Sequence, residues 1–364
     1  MNTATPRVFI AATRQNDGKT TVSLGLLAAL QKCYPRIGYI KPVGQRFVEI
    51  EEQKIDEDTV LMDSVYRLNC PLADMSPIAV EPDFTRKYLL SANNEALVKK
   101  IQTAFDRVAW EKEFVLCEGS GHAGVGSVFD LSNAQVAKIL GAKVIIVSQA
   151  GIGKPIDEVS LNQALFEKEG VEIIGVILNK AIPEKLDYIT HFARRGLKRK
   201  GLELLGVLPH QSILRQPTMD LLKEELRAKV INKARDTNNL VERVVVGAMG
   251  VQHVMEFLVH GTLVIVPGDR EDIIMAAATT LIGHTTDGLA GMVLTGNLRP
   301  SAGVMKVIQE LPFPVLLAQE DIYQVASHIH DLTVKTRPHD TQKISVISDL
   351  IAKHVDVNKI LEAL

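Results

Sequence analysis

The sequence contains few of the residues that mark several classes of protein. Its 364 residues include three cysteines and one tryptophan, and aromatic residues make up 5% of the chain. The cysteines, Cys33, Cys70 and Cys117, lie far apart and form no Cys-x-x-Cys pair. Their number and spacing argue against a disulfide framework and against a zinc site. We expect each of them to serve as a small apolar residue.

An excess of one charge and long apolar runs are lacking as well. The chain has 41 lysine and arginine residues and 43 aspartate and glutamate residues, which gives a formal net charge of −2 at pH 7. This balance favours neither nucleic acid nor an anionic membrane as a partner. The apolar runs have the length of strands, and no charged segment followed by an apolar one precedes the first of them. We therefore expect a cytoplasmic protein without a membrane segment.

The sequence does contain a regular alternation of strand-like and helical patterns. Hydrophobic residues make up 46% of the chain and charged residues 23%, which is typical of globular domains with their own cores. The alternation predicts an α/β fold with mostly parallel sheets and helices on both faces. Strands are predicted at residues 8–12, 37–43, 114–117, 144–147, 173–178 and 204–208, and in a second series at 243–247, 262–266, 291–295 and 315–318. Helices are predicted between them at 19–31, 59–65, 95–108, 133–140, 155–168 and 185–199, and in the second series at 251–258, 273–282, 302–311 and 322–332.

The length of the chain corresponds to about two domains, and a change in composition separates them. A polar helical pattern at 219–233, rich in Lys, Arg and Glu, follows the first series of strands. We predict a first domain at 1–212, a connector helix at 213–240 and a smaller α/β domain at 241–364. The helical tail at 341–364 is expected to pack on that second domain or on a partner.

The most informative stretch is Gly18-Lys19-Thr20-Thr21, between an apolar run and a helical pattern. Unpaired backbone N–H groups at a helix N-terminus attract anions, and glycine lets the main chain approach a phosphate. Lys19 is expected to reach the β- and γ-phosphates of a nucleotide, and Thr20 to hold Mg²⁺. The motif is incomplete, because Thr13 stands where it has its first glycine. The alternative is a chance sequence that caps a helix.

Polar residues also follow other predicted strands, at the edge where open parallel sheets bind ligands. Lys41 could face an anion or lie on the surface. Glu118 is a candidate Mg²⁺ ligand, although it could simply cap a turn. Asp56 and Asp58 precede a helical pattern and are expected to cap it, with Asp58 as a further candidate metal ligand. Asn179 could bind a base edge or form a turn.

Five stretches of the first half together resemble dethiobiotin synthetase in order and spacing: 12–20, 41–43, 118–121, 175–180 and 206–209. They are still more similar to the dethiobiotin-synthetase-like N-terminal domain of long bacterial phosphotransacetylases. Residues 268–272 and 294–300 resemble the DRTGG domain that follows it there. The resemblance implies a P-loop NTPase-type domain followed by a smaller DRTGG-like domain. An acetyl-transferring domain has no counterpart in this sequence, so a phosphotransacetylase activity of the chain alone is not expected.

The resemblance further implies a site for ATP, or for another nucleoside triphosphate, together with Mg²⁺. The nucleotide-binding residues would be Asp17, Gly18, Lys19, Thr20, Thr21 and Asn179, the last at the base. The residues near the transferring phosphoryl group would be Thr13, Lys19 and Lys41. The metal ligands would be Thr20 and Glu118. Because relatives of the first domain form pairs, we also expect a homodimer.

The DRTGG-like half has its own candidate ligand residues. They are Asp269, Arg270, Thr295 and Asn297. They follow the ends of two predicted strands and could line one pocket for a small-molecule effector. The alternative is a structural module that supports an oligomer.

Three functions are compatible with these features. The first is a regulatory protein that binds ATP with Mg²⁺, hydrolyses it slowly if at all, and signals through the second domain. The second is an ATP-dependent ligase that phosphorylates a carboxylate or carbamate. Lys41 and Glu118 favour this ligase, whereas Gln45 counts against it, because the synthetase has a small hydroxyl side chain there. The third is a non-enzymatic scaffold, against which the presence of Lys19 argues.

Overall fold

A computed structural model describes residues 1–233, 237–279 and 288–364. Its strands are β1 (Arg7–Ala12), β2 (Ile37–Ile40), β3 (Val43–Gly44), β4 (Phe47–Ile50), β5 (Gln53–Asp56), β6 (Ile78–Ala79), β7 (Phe114–Glu118), β8 (Lys143–Gln149), β9 (Ile173–Ala181), β10 (Leu204–Pro209), β11 (Lys229–Val230), β12 (Arg243–Val246), β13 (Thr262–Pro267), β14 (Gly291–Thr295) and β15 (Val315–Leu317). Its helices are α1 (Lys19–Leu30), α2 (Glu57–Tyr66), α3 (Leu72–Met75), α4 (Phe84–Leu90), α5 (Asn94–Val108), α6 (Asn133–Leu140), α7 (Lys154–Lys168), α8 (Leu186–Lys198), α9 (Met219–Glu225), α10 (Val251–Val254), α11 (Glu271–Thr279), α12 (Ala302–Gln309), α13 (Ile322–Asp331), α14 (Thr341–His354) and α15 (Val357–Glu362). The described chain forms two compact units, 1–211 with 336–364, and 212–335.

The first unit is built on six parallel strands in the order β10-β9-β8-β1-β7-β2. Every residue of β1 and β7 is buried, as expected for strands that are covered on both faces. The predicted parallel α/β fold is thereby confirmed. Because all six strands run in one direction, the residues that follow β1, β2, β7 and β9 come to the same edge of the sheet.

The second unit contains a five-stranded sheet in the order β11-β15-β14-β13-β12, in which β11 alone is antiparallel to its neighbour. Successive side chains of a strand point to opposite faces. Val264 and Val266 of β13 accordingly lie in one buried core, and Leu263 and Ile265 lie in another. This confirms the smaller α/β domain. Within the described ranges, no helix has both the length and the apolar composition that crossing a bilayer requires.

The C-terminal tail belongs to the first unit, whereas the sequence predicted that it packs on the second domain or on a partner. The buried side chains Ile347 and Ile351 of α14 face α1. The two helices approach so closely that a Cβ at Gly25 of α1 would lie 2.2 Å from Ile351 Cγ1. Gly206 of β10 also forms an antiparallel bridge with Val355. The helical pattern alone could not indicate which apolar surface the tail would cover.

The structure also differs from the connector helix predicted at 213–240. Its helical part, α9, ends at Glu225, and β11 then pairs with β15. The apolar residues of this segment are buried in the core of the second unit, which makes it part of that unit: Met219, Leu222 and Leu226. Residues 234–236 of this prediction lie outside the described residues. So do residues 280–282 of a helix predicted at 273–282.

Candidate functional site

The loop between β1 and α1 presents an open helix N-terminus. Gly18 precedes α1 with a φ of 101°, in the left-handed region that favours glycine. No side chain caps the helix, and its first turn contains no acidic residue. The N–H groups of the first turn are therefore free of side-chain acceptors at the position where anions bind. Lys19 is the first residue of α1 and only 9% exposed. Burial lowers the pKa of Lys19 below its usual value.

Asn179 at the end of β9 braces this loop. Its Nδ2 donates to the Asp17 carbonyl at 2.9 Å, and its Oδ1 accepts from the Lys180 N–H at 2.9 Å. The Lys180 Nζ donates to the Asn16 carbonyl at 2.6 Å. A Cβ at Gly18 would lie 2.1 Å from Asn179 Nδ2. Both ends of the Asn179 amide are thus engaged within the protein, at the residue predicted to contact a base.

The side chains of Thr13 and Asp17 hold the two ends of the loop together. Thr13 Oγ1 donates to Asp17 Oδ2 at 2.7 Å and lies 2.9 Å from Ser148 Oγ. Arg14 is close to the other carboxylate oxygen, with Nη2 3.7 Å from Asp17 Oδ1. Asp17 is 1% exposed, so Thr13 and Arg14 rather than solvent stabilise its charge. The loop is consequently fixed by its own residues together with Ser148 of β8 and Asn179 of β9.

A buried ionic cluster lies beside the loop. Lys41, at the end of β2, has its Nζ 3.1 Å from Asp56 Oδ1 and 3.8 Å from Glu118 Oε1. It also donates to Asp58 Oδ2. Asp56 caps α2 as predicted, because its Oδ1 accepts from the Asp58 N–H at 3.0 Å. All four residues are less than a tenth exposed. Lys41 is therefore not a surface lysine.

Glu118, at the end of β7, joins this cluster to the phosphate-loop helix. Its Oε1 accepts from Thr20 Oγ1 at 3.0 Å, and its Oε2 accepts from the Tyr39 hydroxyl at 3.2 Å. Burial raises the pKa of Glu118, and the charge of Lys41 opposes this shift. Burial acts to lower the pKa of Lys41, but the charges of Asp58, Glu118 and Asp56 outweigh it and raise the pKa above its usual value.

The donor set fits Mg²⁺ in the company of phosphates. Within the described parts of the chain, no three His, Cys, Asp or Glu side chains are arranged to hold a metal by themselves. A nucleotide-bound Mg²⁺ needs only one or two carboxylates, because phosphate oxygens and waters supply the other ligands. Thr20 and Glu118 are in contact, and Asp58 is in the same cluster. All three offer oxygen, the ligand atom that Mg²⁺ prefers.

Sequence reasoning missed two residues that shape the site. Tyr39 binds Glu118, and it could have been found because it lies two residues before Lys41 in the strand and so shares its face. Asn133, the first residue of α6, fixes the loop after Glu118. Its Oδ1 accepts from the Ser120 N–H at 3.0 Å and its Nδ2 donates to the Ser120 carbonyl at 2.7 Å. No local sequence pattern indicates that Asn133 contacts Ser120.

In the second unit, the two predicted loops do meet. A Cβ at Gly268 would lie 1.7 Å from the Leu298 carbonyl oxygen, so the turns after β13 and β14 are in contact. Thr295 is buried at the end of β14, whereas Asp269 and Asn297 are exposed. The turns are brought together as the strand-end rule predicts.

The side chain of Arg270 donates hydrogen bonds to residues of its own unit. Its Nε and Nη2 donate to the two carboxylate oxygens of Asp272, each at 2.9 Å. Its Nη1 and Nη2 also donate to the Gly247 and Met249 carbonyls at 3.3 and 3.2 Å. The guanidinium therefore ties the turn after β13 to the segment after β12. The structure gives Arg270 a structural task that the sequence did not indicate.

Two family profiles match the chain in succession. The AAA domain matches residues 6–218, which is more than half of the chain, and the DRTGG domain matches residues 221–332.

Curated relatives are similar over almost the whole chain. The phosphate acetyltransferase of Nitratidesulfovibrio vulgaris is 25% identical over 370 residues, covering 97% of this chain and 51% of that protein. The phosphate acetyltransferase of Synechocystis sp. is 26% identical over 369 residues, covering 99% and 52%. The chain thus spans about half the length of these relatives. Among solved structures, the MinC:MinD cell division protein complex of Aquifex aeolicus is similar with 15% identity and a TM-score of 0.37, over 57% of this chain and 83% of that chain.

Proposed function

Since this chain belongs to the AAA domain family and carries a DRTGG domain after it, we propose that it is a regulatory protein that binds a nucleoside triphosphate with Mg²⁺. The two profiles match in the order that the sequence resemblance implied. The proposal concerns the residues present in this chain. The acetyl transfer of the longer relatives is no part of it.

The observation that carries the proposal is the contact between Thr20 and Glu118. It places a hydroxyl of the phosphate-loop helix and a strand-end carboxylate 3.0 Å apart, beside the uncapped N-terminus of α1. Lys19 adds a buried ammonium at the same helix end. An anion site and an oxygen site for a cation are therefore adjacent, which is the combination that a magnesium nucleotide requires.

We assign the roles of the residues as follows. The N–H groups of the first turn of α1 and the Lys19 ammonium would bind the phosphates. Thr20 and Glu118 would hold Mg²⁺, with Asp58 as a further ligand, and the bound ion would neutralise phosphate charge. Asn179 would keep the loop in its binding shape through the Asp17 carbonyl. Such a preformed loop avoids an ordering cost on binding.

The ligase alternative makes a different prediction about turnover. A ligase should release phosphate only when an acceptor carboxylate or carbamate is present, whereas a regulatory ATPase should release it slowly without one. Gln45 is exposed and does not replace the hydroxyl that the synthetase uses. A regulatory protein should also change its assembly or its second unit when nucleotide binds, which light scattering and hydrogen exchange can follow.

The direct test is calorimetric titration of ATP with Mg²⁺ into the wild-type protein and into Lys19→Ala. The variant should bind at least about 100-fold more weakly, since charge-assisted hydrogen bonds contribute about 1.5–3 kcal/mol each and the Lys19 ammonium would donate more than one of them to phosphates. Lys32→Ala is the matched control, because this exposed lysine follows the other end of the same helix.

Circular dichroism should show both variants folded. Equal affinity of Lys19→Ala and the wild type would contradict the site assignment. Failure of the folded wild type to bind any nucleoside triphosphate would favour the scaffold instead.

A further inference from the structure

Lys41 lies at the place where the site should hold a cation. Its ammonium is in contact with Asp58 and Asp56, and 3.8 Å from Glu118 Oε1. That same Glu118 oxygen accepts from Thr20 Oγ1 at 3.0 Å. The ammonium and the P-loop hydroxyl therefore meet at a single carboxylate oxygen. Two of the carboxylates that it contacts or approaches, Asp58 and Glu118, are those proposed for Mg²⁺.

A lysine and a divalent ion cannot use these oxygens together. Mg²⁺ binds oxygen at about 2.0–2.1 Å in a nearly ideal octahedron, which leaves no room for an ammonium on the same lone pairs. Two cations so close would also repel each other in a buried site. Lysine has a flexible four-carbon stem, so the ammonium can move while its backbone stays in place.

Asp56 provides a partner that the ammonium can keep. Its Oδ1 lies 3.1 Å from Lys41 Nζ and also caps α2 through the Asp58 N–H. Asp56 Oδ1 is held in place because it caps α2. We therefore expect Lys41 to keep its contact with Asp56 when its contacts with Asp58 and Glu118 break.

We propose that Lys41 is an exchangeable counter-ion: it neutralises Asp58 and Glu118 before a divalent ion binds and leaves them when that ion arrives. This inference rests on the proposed function. The released ammonium keeps Asp56 and offers its remaining donors to an anion, such as a phosphate of the same nucleotide. The exchange also removes the contact between Lys41 and Asp58 in the first turn of α2, while the contact with the N-cap residue Asp56 remains. This change of contacts gives a regulatory protein a way to report an occupied site.

The test measures the binding of Mn²⁺ alone, without nucleotide, by its electron paramagnetic resonance signal. Lys41→Met keeps an unbranched side chain that is one atom shorter, and it removes the competing charge. Metal affinity of this variant should rise about tenfold or more over the wild type, because the carboxylates no longer have a partner to lose. Lys19→Met is the matched control, since Lys19 forms no ion pair among the described residues. It should raise metal affinity far less.

A second measurement uses the wild type, in case Lys41→Met does not fold. Mg²⁺ alone should shift the ¹⁵Nζ resonance of Lys41, assigned by its loss in Lys41→Arg. An unchanged resonance at saturating Mg²⁺, or equal Mn²⁺ affinity of folded Lys41→Met and wild type, would overturn the exchange. Neither outcome depends on nucleotide. If metal displaces Lys41 but no nucleotide binds, the inference is supported and the proposed function is refuted. If nucleotide binds but metal does not displace Lys41, the proposed function is supported and the inference is refuted.

Discussion

Gly18→Ala tests whether Asn179 holds the phosphate loop in shape. Any L residue at a φ of 101° is strained, by about 1–2 kcal/mol. The new Cβ would also lie 2.1 Å from Asn179 Nδ2 and would push this amide off the buried Asp17 carbonyl. Leaving a buried carbonyl without its donor costs about 1–3 kcal/mol. The substitution should therefore lower the free energy of unfolding of the first unit by about 2–5 kcal/mol.

A double-mutant cycle separates the two contributions. Asn179→Ala alone loses the hydrogen bond to Asp17 and should cost about 1–3 kcal/mol. In the double variant that bond is lost only once and the clash is gone, so the total cost should stay below the sum of the single costs by about 1–3 kcal/mol. Urea unfolding followed by Trp110 fluorescence measures this, because the only tryptophan lies in the first unit.

Gly141→Ala is the matched control for strain. Gly141 has a φ of 59°, and a Cβ there would meet nothing within 4 Å. This variant should show the cost of a positive φ alone, and no coupling to Asn179→Ala. If the Gly18 and Asn179 costs add within about 0.5 kcal/mol, the bracing of the loop by Asn179 is refuted.

Two further predictions concern the rest of the first unit. Gly25→Ala should lower its unfolding free energy by about 1–3 kcal/mol, because the new Cβ would lie 2.2 Å from Ile351 Cγ1 and force the tail helix away from α1. An unchanged urea midpoint would contradict this packing. Burial raises the pKa of Cys70 to about 11, so less thiolate is present at any lower pH. Its alkylation by iodoacetamide should rise about tenfold per pH unit between pH 8 and 10. The exposed Cys33 should react first at pH 7.5, and equal rates there would contradict the burial of Cys70.

The sequence predicted most of the regular structure, because strands and helices leave local patterns. The buried strand β14 was predicted with its observed bounds, and so was α6, which begins at Asn133 after a Ser132 capping box. Several short elements were missed, among them α3, β6, α4, the hairpin β4–β5 and β11. The strands of the hairpin β4–β5 are four residues long, and their few apolar residues are mixed with charged and exposed ones. Strand β11 consists of two residues that depend on pairing with β15.

The sequence by itself determined the two α/β domains, the phosphate loop and the strand-end positions of Lys41, Glu118 and Asn179. Each of these depends on residues that are neighbours along the chain, or on a rule about parallel sheets. Only the tertiary structure decided what those side chains touch.

Asn179 meets Asp17 across a sequence separation of 162 residues, and Lys41 meets Glu118 only because β2 pairs with β7. The apolar face of α14 was likewise visible in the sequence, but no local pattern indicated that it packs against α1. Hydrophobic periodicity specifies that a face must be buried, whereas packing of the whole chain selects the surface that buries it.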